Sequence, residues 1–514
     1  MTHSQPNIVF IMADQLAAGM LNCYGGGVDS TPTLDRLAAE GSRFDRCYAT
    51  HPICAPNRAT ILTGRSACVH GIVTNNYTLS ADNTTYAQVL QAHGYRTGGF
   101  GKFHQTPMHT PVPVSLSYLG FDESTVTEDP KWPWLDWVAR EHPEHYEAAL
   151  SMCWDWPTHP SDPRKEDRAE ARRKHLQPLA DAEAWPLMHP SPLPPEVHDT
   201  TYITELGLDF MQRHLQSHPE EPFFCHISYV DPHDPYDPPE PYASMFSPDD
   251  LPDPLPAEWL EGDYPTLEQA HQEFPGFHEV YDRPEVMRRL RALYHGSLRF
   301  IDDQIARVVT FLRDTGLWEN TILVFTTDHG DMLGDHALIT KGVKPYDTGI
   351  RVPLIVAGAG IANVNTDRLT CTLDFYPSFC DWAGVPDEAR PPLEGRSFVA
   401  TSAGEHDPAP WHEILVSYGG VQTVVSSDGW RLTRFADDER GQLFHLIDDP
   451  AEQLNLYDDP AYAVVRQRLL EQLVRALGRA GNVPHYRNMP VVDGAKRIPV
   501  GPRFEGAVPL YGDA

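Results

Sequence analysis

The sequence has few cysteines, little positive charge and no long hydrophobic run. No apolar stretch comes near the roughly 20 residues of a membrane-spanning helix, so we expect no membrane insertion. The eight cysteines among 514 residues form no Cys-x-x-Cys pair and no zinc spacing, which argues against a disulfide framework and a structural zinc. The 40 lysines and arginines face 72 acidic residues, and the net charge of −32 disfavours nucleic acid and anionic lipid as partners.

The remaining composition is that of a folded, globular chain. Hydrophobic residues make up 41% and charged residues 22%, which excludes a fibrous or wholly disordered protein. The first six residues carry no basic segment and lead into only a short apolar run, unlike a secretory signal, so we expect a cytoplasmic location. An anionic ligand could bind this acidic protein only where a local group of cations outweighs the overall charge.

Short apolar segments alternate with helical patterns along the first 400 residues. The apolar segments are rich in branched residues, as in buried parallel strands, and the helical segments start with Pro or polar residues and end at Gly. This alternation predicts an α/β fold, with a large mixed, mostly parallel sheet sandwiched by helices. The predicted strands are 7–13, 223–230, 321–327 and 352–357, and the predicted helices are 31–41, 55–64, 83–94 and 286–316.

The pattern changes after about residue 400. Four short strand patterns (414–417, 421–426, 430–434 and 443–447) precede a helical segment at 461–479, which predicts a smaller C-terminal α+β domain over 401–481. Residues 1–400 would form the main domain, with an irregular insertion at about 123–195, and residues 482–514 an extended arm. Six tryptophans of the insertion are assigned mainly to packing, with an aromatic wall for a substrate as the alternative: Trp132, Trp134, Trp137, Trp154, Trp156 and Trp185.

Two predicted strands end in acidic residues. Asp14 and Gln15 follow the first strand, and Asp328, His329, Gly330 and Asp331 follow the strand at 321–327. Functional groups collect at the carboxyl edge of an open parallel sheet, so these residues could form an oxygen-rich cation site. For either pair alone, an ordinary turn or helix cap is the simpler interpretation.

One motif stands out from the rest of the chain. A Cys-x-Pro-x-Arg pattern at Cys54, Pro56 and Arg58 opens a predicted helix and is followed by Thr-Gly-Arg at 63–65. This pattern resembles the signature of the sulfatase family, in the alkaline-phosphatase-like superfamily. In that family the cysteine is oxidised after translation to formylglycine, which the resemblance implies for Cys54.

Five further segments resemble motifs of the same family, in the same order along the chain. Taken singly, each lysine or histidine in them would be interpreted as a solvated or packed side chain. Six ordered matches that span most of the sequence make coincidence improbable. The segments are 101–104, 231–235, 327–336, 341–353 and 443–456.

Two departures make the predicted cation site less anionic than in many family members. Gln15 stands where many carry a second aspartate, and His329 where many carry asparagine; the combination resembles choline sulfatases and phosphonate monoester hydrolases. The resemblance implies one divalent cation, with Ca²⁺ favoured by the oxygen ligands and Mn²⁺ or Mg²⁺ still open. Its implied ligands are Asp14, Gln15, the oxidised Cys54, Asp328 and His329.

The resemblance also implies a nucleophile and a base. A formylglycine hydrate derived from Cys54 would attack the sulfur of a sulfate ester, and its second hydroxyl would then clear the covalent sulfo-enzyme. Arg58, one helical turn after Cys54, would orient the hydrate. His104 is the candidate base for the second step.

Four more residues are implied to contact the substrate. Lys102 and Lys341 would contact the sulfate oxygens, and His233 would lie near the ester oxygen and assist departure of the alcohol. Asn75 is a candidate for a polar contact to the anion. Lys344 is a rival to Lys341, because the spacing from Lys341 to the following Tyr-Asp is one residue longer than in some relatives.

We therefore expect a hydrolase that acts on a small organic sulfate monoester. A phosphonate monoester or phosphodiester hydrolase with the same nucleophile is the alternative, and the Gly-Lys-x-His segment that contains Lys102 and His104 favours sulfate. A binding protein whose Cys54 stays a thiol is the non-enzymatic alternative. The expected partners are a formylglycine-generating enzyme and, from the C-terminal arm and by analogy with cytoplasmic relatives, further copies of the chain in a homo-oligomer.

Overall fold

A computed structural model describes residues 5–108, 114–153, 165–179, 187–259, 262–273, 281 and 283–480. Within these residues the chain forms two sheets. The larger sheet contains β1 (Asn7–Ala13), β2 (Ser42–Tyr48), β3 (Arg96–Gly101), β4 (Glu123–Val126), β5 (Phe223–Ser228), β6 (Thr321–Thr327), β7 (Arg351–Gly358), β8 (Val364–Thr366) and β9 (Thr370–Cys371).

The large sheet is mixed but mostly parallel, as the sequence predicts. Its strand order is β4-β3-β5-β1-β6-β7-β2-β8, and β9 also pairs with β2. Only β7 runs against its neighbours β6 and β2. The central strand β1 is buried along its whole length, because it lies between β5 and β6 and helices cover both faces.

Helices pack on both faces of this sheet. One hydrophobic cluster joins alternate residues of β1 to the helices at 199–217 and 284–314, and a second joins the other residues of β1 to the helices at 54–63, 86–92 and 375–382. The helices are α1 (Pro32–Glu40), α2 (Cys54–Thr63), α3 (Ala67–His70), α4 (Tyr86–Ala92), α5 (Trp132–Glu141), α6 (Tyr146–Ser151), α7 (Lys165–His175), α8 (Asp199–Ser217), α9 (Pro265–His271), α10 (Pro284–Asp314), α11 (Asp347–Ile350), α12 (Phe375–Trp382), α13 (Val399–Ser402) and α14 (Ala463–Ala480).

The smaller sheet is antiparallel and C-terminal, again as predicted. Its strands β10 (Glu413–Tyr418), β11 (Val421–Ser426), β12 (Trp430–Phe435) and β13 (Gly441–His445) follow one another in order, and α14 packs on one face. The buried Arg431 on β12 joins this sheet to the rest of the molecule. It pairs with Glu452 at 2.5 Å, and its guanidinium lies 5.3 Å from the ring of Tyr346, at the start of α11.

The described part of the segment 123–195 differs from the irregular insertion that the sequence predicts. Its first residues form β4 of the large sheet, and α5, α6 and α7 follow with a small core of their own. Trp134 is fully buried in that core and Trp137 packs against Tyr202 at 5.0 Å, so these two tryptophans serve packing. Trp154, Trp156 and Trp185 lie outside the described residues, as does the predicted arm at 482–514.

The described helices include none that is both long enough and apolar enough to span a bilayer.

Candidate active site

The site lies where β1 and β6 end side by side. The two strands pair in register from Asn7 with Thr321 to Ala13 with Thr327, so Asp14 and Asp328 emerge next to each other at the carboxyl edge of the sheet. Both carboxylates are fully buried. The Asp328 Oδ1 accepts hydrogen bonds from the backbone N–H groups of Gln15 at 3.1 Å and His329 at 3.0 Å, which fixes its orientation.

Helix α2 begins at this edge and places Cys54 there. Cys54 is the first residue of the helix, and all ten residues of α2 are buried. Its Sγ lies 3.1 Å from His329 Nε2 and 3.9 Å from Asp14 Oδ1. The helix has no side-chain cap at residue 53, but the Asn75 Oδ1 accepts a hydrogen bond from the Ala55 N–H at 3.0 Å and so occupies part of the helix N-terminus.

Four of the implied cation ligands converge in the structure. One candidate ligand atom from each of Asp14, Cys54, Asp328 and His329 lies within 4.8 Å of the others, and all four residues are buried. Two carboxylates and one imidazole, with an oxygen at residue 54 once the thiol is oxidised, suit a divalent cation that prefers oxygen ligands. The residues present therefore fit the predicted cation.

Gln15, the fifth implied ligand, directs its amide elsewhere. Its Nε2 donates to Asp234 at 3.0 Å and to Asp331 at 2.6 Å, and its Oε1 accepts a hydrogen bond from Lys341. The amide thus links Lys341 to the loops at the carboxyl edge of the sheet. Its role as a metal ligand remains a prediction.

Arg58 stabilises the two buried carboxylates. It lies one turn along α2 from Cys54, and its Nε pairs with Asp328 at 2.7 Å while its Nη2 lies 3.4 Å from Asp14. Its Nη1 donates to the Ser228 hydroxyl at 2.9 Å and to the Lys102 carbonyl at 2.6 Å. One guanidinium therefore contacts the ends of four strands, β1, β3, β5 and β6.

Lysine side chains and the buried acids shift one another's pKa values. Burial and the neighbouring Cys54 by themselves would raise the pKa of Asp14, but its ion pair with Lys102 and the charge of Arg58 hold that pKa below its ordinary value. Burial would likewise raise the pKa of the Cys54 thiol. The charges of Lys102, Lys341 and His329 outweigh burial, and the pKa of Cys54 lies well below its usual range. The site is thus built to hold negative charge at residue 54.

His104 is buried in the same site and makes no hydrogen bond through its ring. Neither Nδ1 nor Nε2 has a partner among the described residues, although the side chain is only 2% exposed. A buried imidazole without a partner is unusual in a folded protein, and such groups point to a functional contact. His104 therefore has a free nitrogen for a ligand or a proton.

His233 and Lys341 form a pair on the solvent side of the site. The Lys341 Nζ contacts the His233 Nε2, and the His233 Nδ1 lies 2.6 Å from the carbonyl oxygen of Asp234. The rival Lys344 points away from this pair, because its Nζ donates to Glu273 at 2.9 Å and to the Lys341 carbonyl at 2.5 Å. The geometry therefore favours Lys341 over Lys344 as the residue that faces the site.

Three further residues support the site, although the sequence predicted no individual role for Asp234 or Asn57 and named Asp331 only within the acidic segment after β6. Asp234 and Asp331 hold the Gln15 amide from two loops, and Asp331 also accepts the backbone N–H groups of Leu333 at 3.0 Å and Thr340 at 2.9 Å. Asn57 on α2 donates to the Asp328 carbonyl. All three lie within or beside the motifs, and their position in those motifs was the only available signal.

Comparison with known proteins agrees with this geometry. The family described as "Sulfatase" matches residues 6–385. The chain belongs to the sulfatase family. A second family description, "N-sulphoglucosamine sulphohydrolase, C-terminal", matches residues 334–478 of this sulfatase-family chain, which include the antiparallel sheet.

Relatives of this sulfatase-family chain differ in their named activities. An arylsulfatase from Clostridium perfringens is 28% identical over 492 residues, which cover 92% of this chain and 94% of that protein. A choline-sulfatase from Rhizobium meliloti is 27% identical over 473 residues, which cover 90% of this chain and 84% of that protein. The solved phosphonate monoester hydrolase from Silicibacter pomeroyi superposes with a TM-score of 0.75 at 26% identity, and covers 94% of this chain and 97% of that one.

The four-residue cluster predicts how the sulfatase-family site responds to loss of one ligand. Loss of a residue that only supports a metal ligand typically weakens metal binding about 10–100-fold. We expect His329→Ala to weaken Ca²⁺ or Mn²⁺ binding by more than this, because it removes a ligand itself. Calorimetric titration of the metal-free protein with the metal ion measures this change in affinity. His214→Ala is the matched control, because His214 is also buried but lies on α8 near the opposite end of β5. Equal metal affinity in the two variants would contradict the assignment.

Proposed function

We propose that the chain hydrolyses the sulfate monoester of a small organic alcohol, with Cys54 in its formylglycine form as the nucleophile. The observation that carries this proposal is the position of Cys54, whose Sγ lies 3.1 Å from His329 and 3.9 Å from both Asp14 and Lys102. Membership of the sulfatase family supports hydrolysis of a sulfate ester, and the choice of small alcohol is our proposal.

Two groups that the chain does not encode directly would supply part of the chemistry. Asp14, Cys54, Asp328 and His329 would hold a divalent cation, with Ca²⁺ favoured, which acts as a Lewis acid and neutralises developing charge. The hydrated aldehyde at residue 54 would supply two hydroxyl oxygens, one to attack sulfur and one to release sulfate.

The chain's own residues would bind the anion and move protons. Arg58 holds the two carboxylates in place, while the Nζ of Lys102, 3.9 Å from the Cys54 Sγ, lies where it can contact a sulfate oxygen. His104, with both ring nitrogens free, would take the proton when sulfate is released. The Lys341–His233 pair would face the ester oxygen and assist departure of the alcohol.

Local cations can overcome the acidic surface. At an effective dielectric constant near 20, one pair of unit charges about 4 Å apart contributes roughly 4 kcal/mol. The repulsion from distant surface acids is screened by salt beyond about 8–10 Å. A bound cation together with Lys102 and Lys341 would therefore attract a singly charged sulfate ester in spite of the net charge of −32.

We propose the remaining partners and location on the sequence alone. A formylglycine-generating enzyme would act on Cys54, the protein would function in the cytoplasm, and copies of the chain would associate through the C-terminal arm.

A phosphonate monoester hydrolase is the second candidate function. The likeness to the Silicibacter pomeroyi enzyme and the Gln15 and His329 departures favour it, and Lys102 and His104 favour sulfate. A sulfate monoester presents three non-bridging oxygens, whereas a phosphonate monoester presents two oxygens and a carbon substituent. Two lysines beside a cation therefore match the sulfate group better.

An aryl sulfate and an aryl phosphonate monoester with the same leaving group test this choice. We expect a higher kcat/KM for the sulfate, because it offers one more non-bridging oxygen for the cation, Lys102 and Lys341 to contact. Lys102→Met should lower the sulfate rate more than the phosphonate rate. A higher kcat/KM for the phosphonate, with an equal effect of Lys102→Met on both, would favour the second candidate.

The chemical state of Cys54 is testable within a single tryptic peptide. Cleavage after Arg46 and Arg58 releases a peptide that contains both Cys47 and Cys54, so Cys47 is an internal control. We expect protein from the native host to show alkylation at Cys47 only, with an aldehyde mass at residue 54. Cys54→Ala should reduce turnover to the background rate. Alkylation of both cysteines, or turnover by Cys54→Ala, would exclude the proposed nucleophile.

The two neighbouring lysines allow a matched pair of variants. Lys341→Ala removes a cation from the site, and we expect kcat/KM for an aryl sulfate to fall by about 100-fold or more, as in the loss of other preorganised groups that stabilise developing charge. Lys344→Ala removes a buried lysine whose ammonium pairs with Glu273 and not with the site, so we expect a smaller loss than for Lys341→Ala because no charge is removed from beside residue 54. Steady-state kinetics of both variants show which lysine acts in the site. A larger loss of kcat/KM in Lys344→Ala than in Lys341→Ala would assign the contact with the substrate to Lys344.

A further inference from the structure

The loop that follows β3 carries both Lys102 and His104, and hydrogen bonds to neighbouring segments hold its backbone. The Lys102 N–H donates to the Ser228 carbonyl at 2.9 Å, at the end of β5. The next two N–H groups, of Phe103 and His104, both donate to one oxygen, the Oε1 of Glu128. Glu128 lies two residues after the end of β4, the neighbour of β3 in the sheet.

His104 depends on this backbone contact to an unusual degree. Its φ of 52° lies in the left-handed region, which costs energy for a residue with a side chain. Its ring makes no hydrogen bond with the described residues, so no side-chain contact of that kind sets the ring position. Apart from the packing around this buried ring, the conformation of the His104 backbone therefore sets the direction of the imidazole.

Glu128 is well placed to hold that conformation. Its strand is fixed by the Thr127 N–H, which donates to the Gly101 carbonyl at 3.1 Å. The neighbouring Phe103 is anchored independently, because its ring packs 5.2 Å from Phe121 and 4.8 Å from His226. Loss of the Glu128 carboxylate would thus release the backbone at His104 without removing the loop from the core.

We propose that Glu128 is a positioning residue, whose carboxylate fixes the left-handed backbone at His104 and so directs the His104 ring to residue 54. This inference rests on the proposed function, in which His104 accepts the proton that is lost when sulfate is released. Glu128 itself does not touch the reacting atoms.

Three variants and one control test the proposal. Glu128→Ala removes both acceptor contacts, whereas Glu128→Gln keeps an oxygen in place without the charge. His104→Ala removes the group that Glu128 would position. The matched control is Asp122→Asn, because Asp122 accepts the Thr97 N–H at 2.9 Å at the start of β3, the end remote from the site.

The expected kinetics with a 4-nitrophenyl sulfate are specific to positioning. Glu128→Ala should lower kcat by about 30-fold, since small displacements of a reacting group cost up to about 100-fold in rate. Because only the second step is slowed, KM should fall in proportion and kcat/KM should stay within about 3-fold of the parent value. Because release of sulfate would be slowed and release of the phenol would not, the variant should gain an initial burst of nitrophenolate, as should His104→Ala. Glu128→Gln and Asp122→Asn should remain within about 3-fold of the parent protein, without a burst.

A double-variant cycle separates positioning from general damage. In a His104→Ala background, Glu128→Ala should cost less than about 3-fold more, because its target is already gone. Three outcomes would each overturn the proposal. The first is a double variant whose loss of kcat equals the product of the two single losses. The others are Glu128→Gln as impaired as Glu128→Ala, and Glu128→Ala as active as the parent protein. If the parent protein turns over no sulfate ester, the proposed function fails on its own, and the same variants are judged by the same criteria on the aryl phosphonate monoester.

Discussion

Two carboxylates buried side by side are the constraint on which the rest of the site depends. The register of β1 against β6 places Asp14 and Asp328 at the same height, in an interior where like charges repel strongly. Such a pair requires positive charge, and the fold supplies it through Arg58 from α2 and Lys102 from the loop after β3. Because the guanidinium also contacts Ser228 and the Lys102 carbonyl, the same charge that stabilises the acids fixes the relative positions of four strand ends.

Much of the fold was predictable because its central elements are strongly patterned. The strands β1, β5 and β6 are continuous apolar runs, and the helices α1 and α10 carry recognisable ends. The strand β3 was not predicted, since its sequence RTGGFG contains three glycines and only one large apolar side chain, Phe100. Its glycines are required by close packing, because a Cβ at Gly99 would come within 2.8 Å of the Phe121 ring. Similarly, α8 contains Gly207, where a Cβ would meet Ile227 at 2.6 Å, and this interrupts its helical pattern.

The candidate site divides in the same way. Cys54, Arg58, Asp14, Asp328 and His329 stand out by motif and by position after strands, and the structure brings them together. Contacts between segments that are hundreds of residues apart could not be predicted from a single sequence. The hydrogen bonds of Gln15 to Asp234 and Asp331, and the opposite directions of Lys341 and Lys344, depend on how loops fold over one another.

The burial of α2 has a consequence for when the protein can be modified. Cys54 is 1% exposed and every other residue of its helix is buried, so an enzyme that acts on this thiol cannot reach it in the finished fold. The partner strand β6 leaves the ribosome about 270 residues after Cys54, a delay of roughly 15–50 seconds at about 5–20 residues per second. The long separation between β1 and β6 along the chain therefore leaves an interval in which the segment that contains Cys54 is still accessible. That interval ends when β6 pairs with β1 and completes the central sheet.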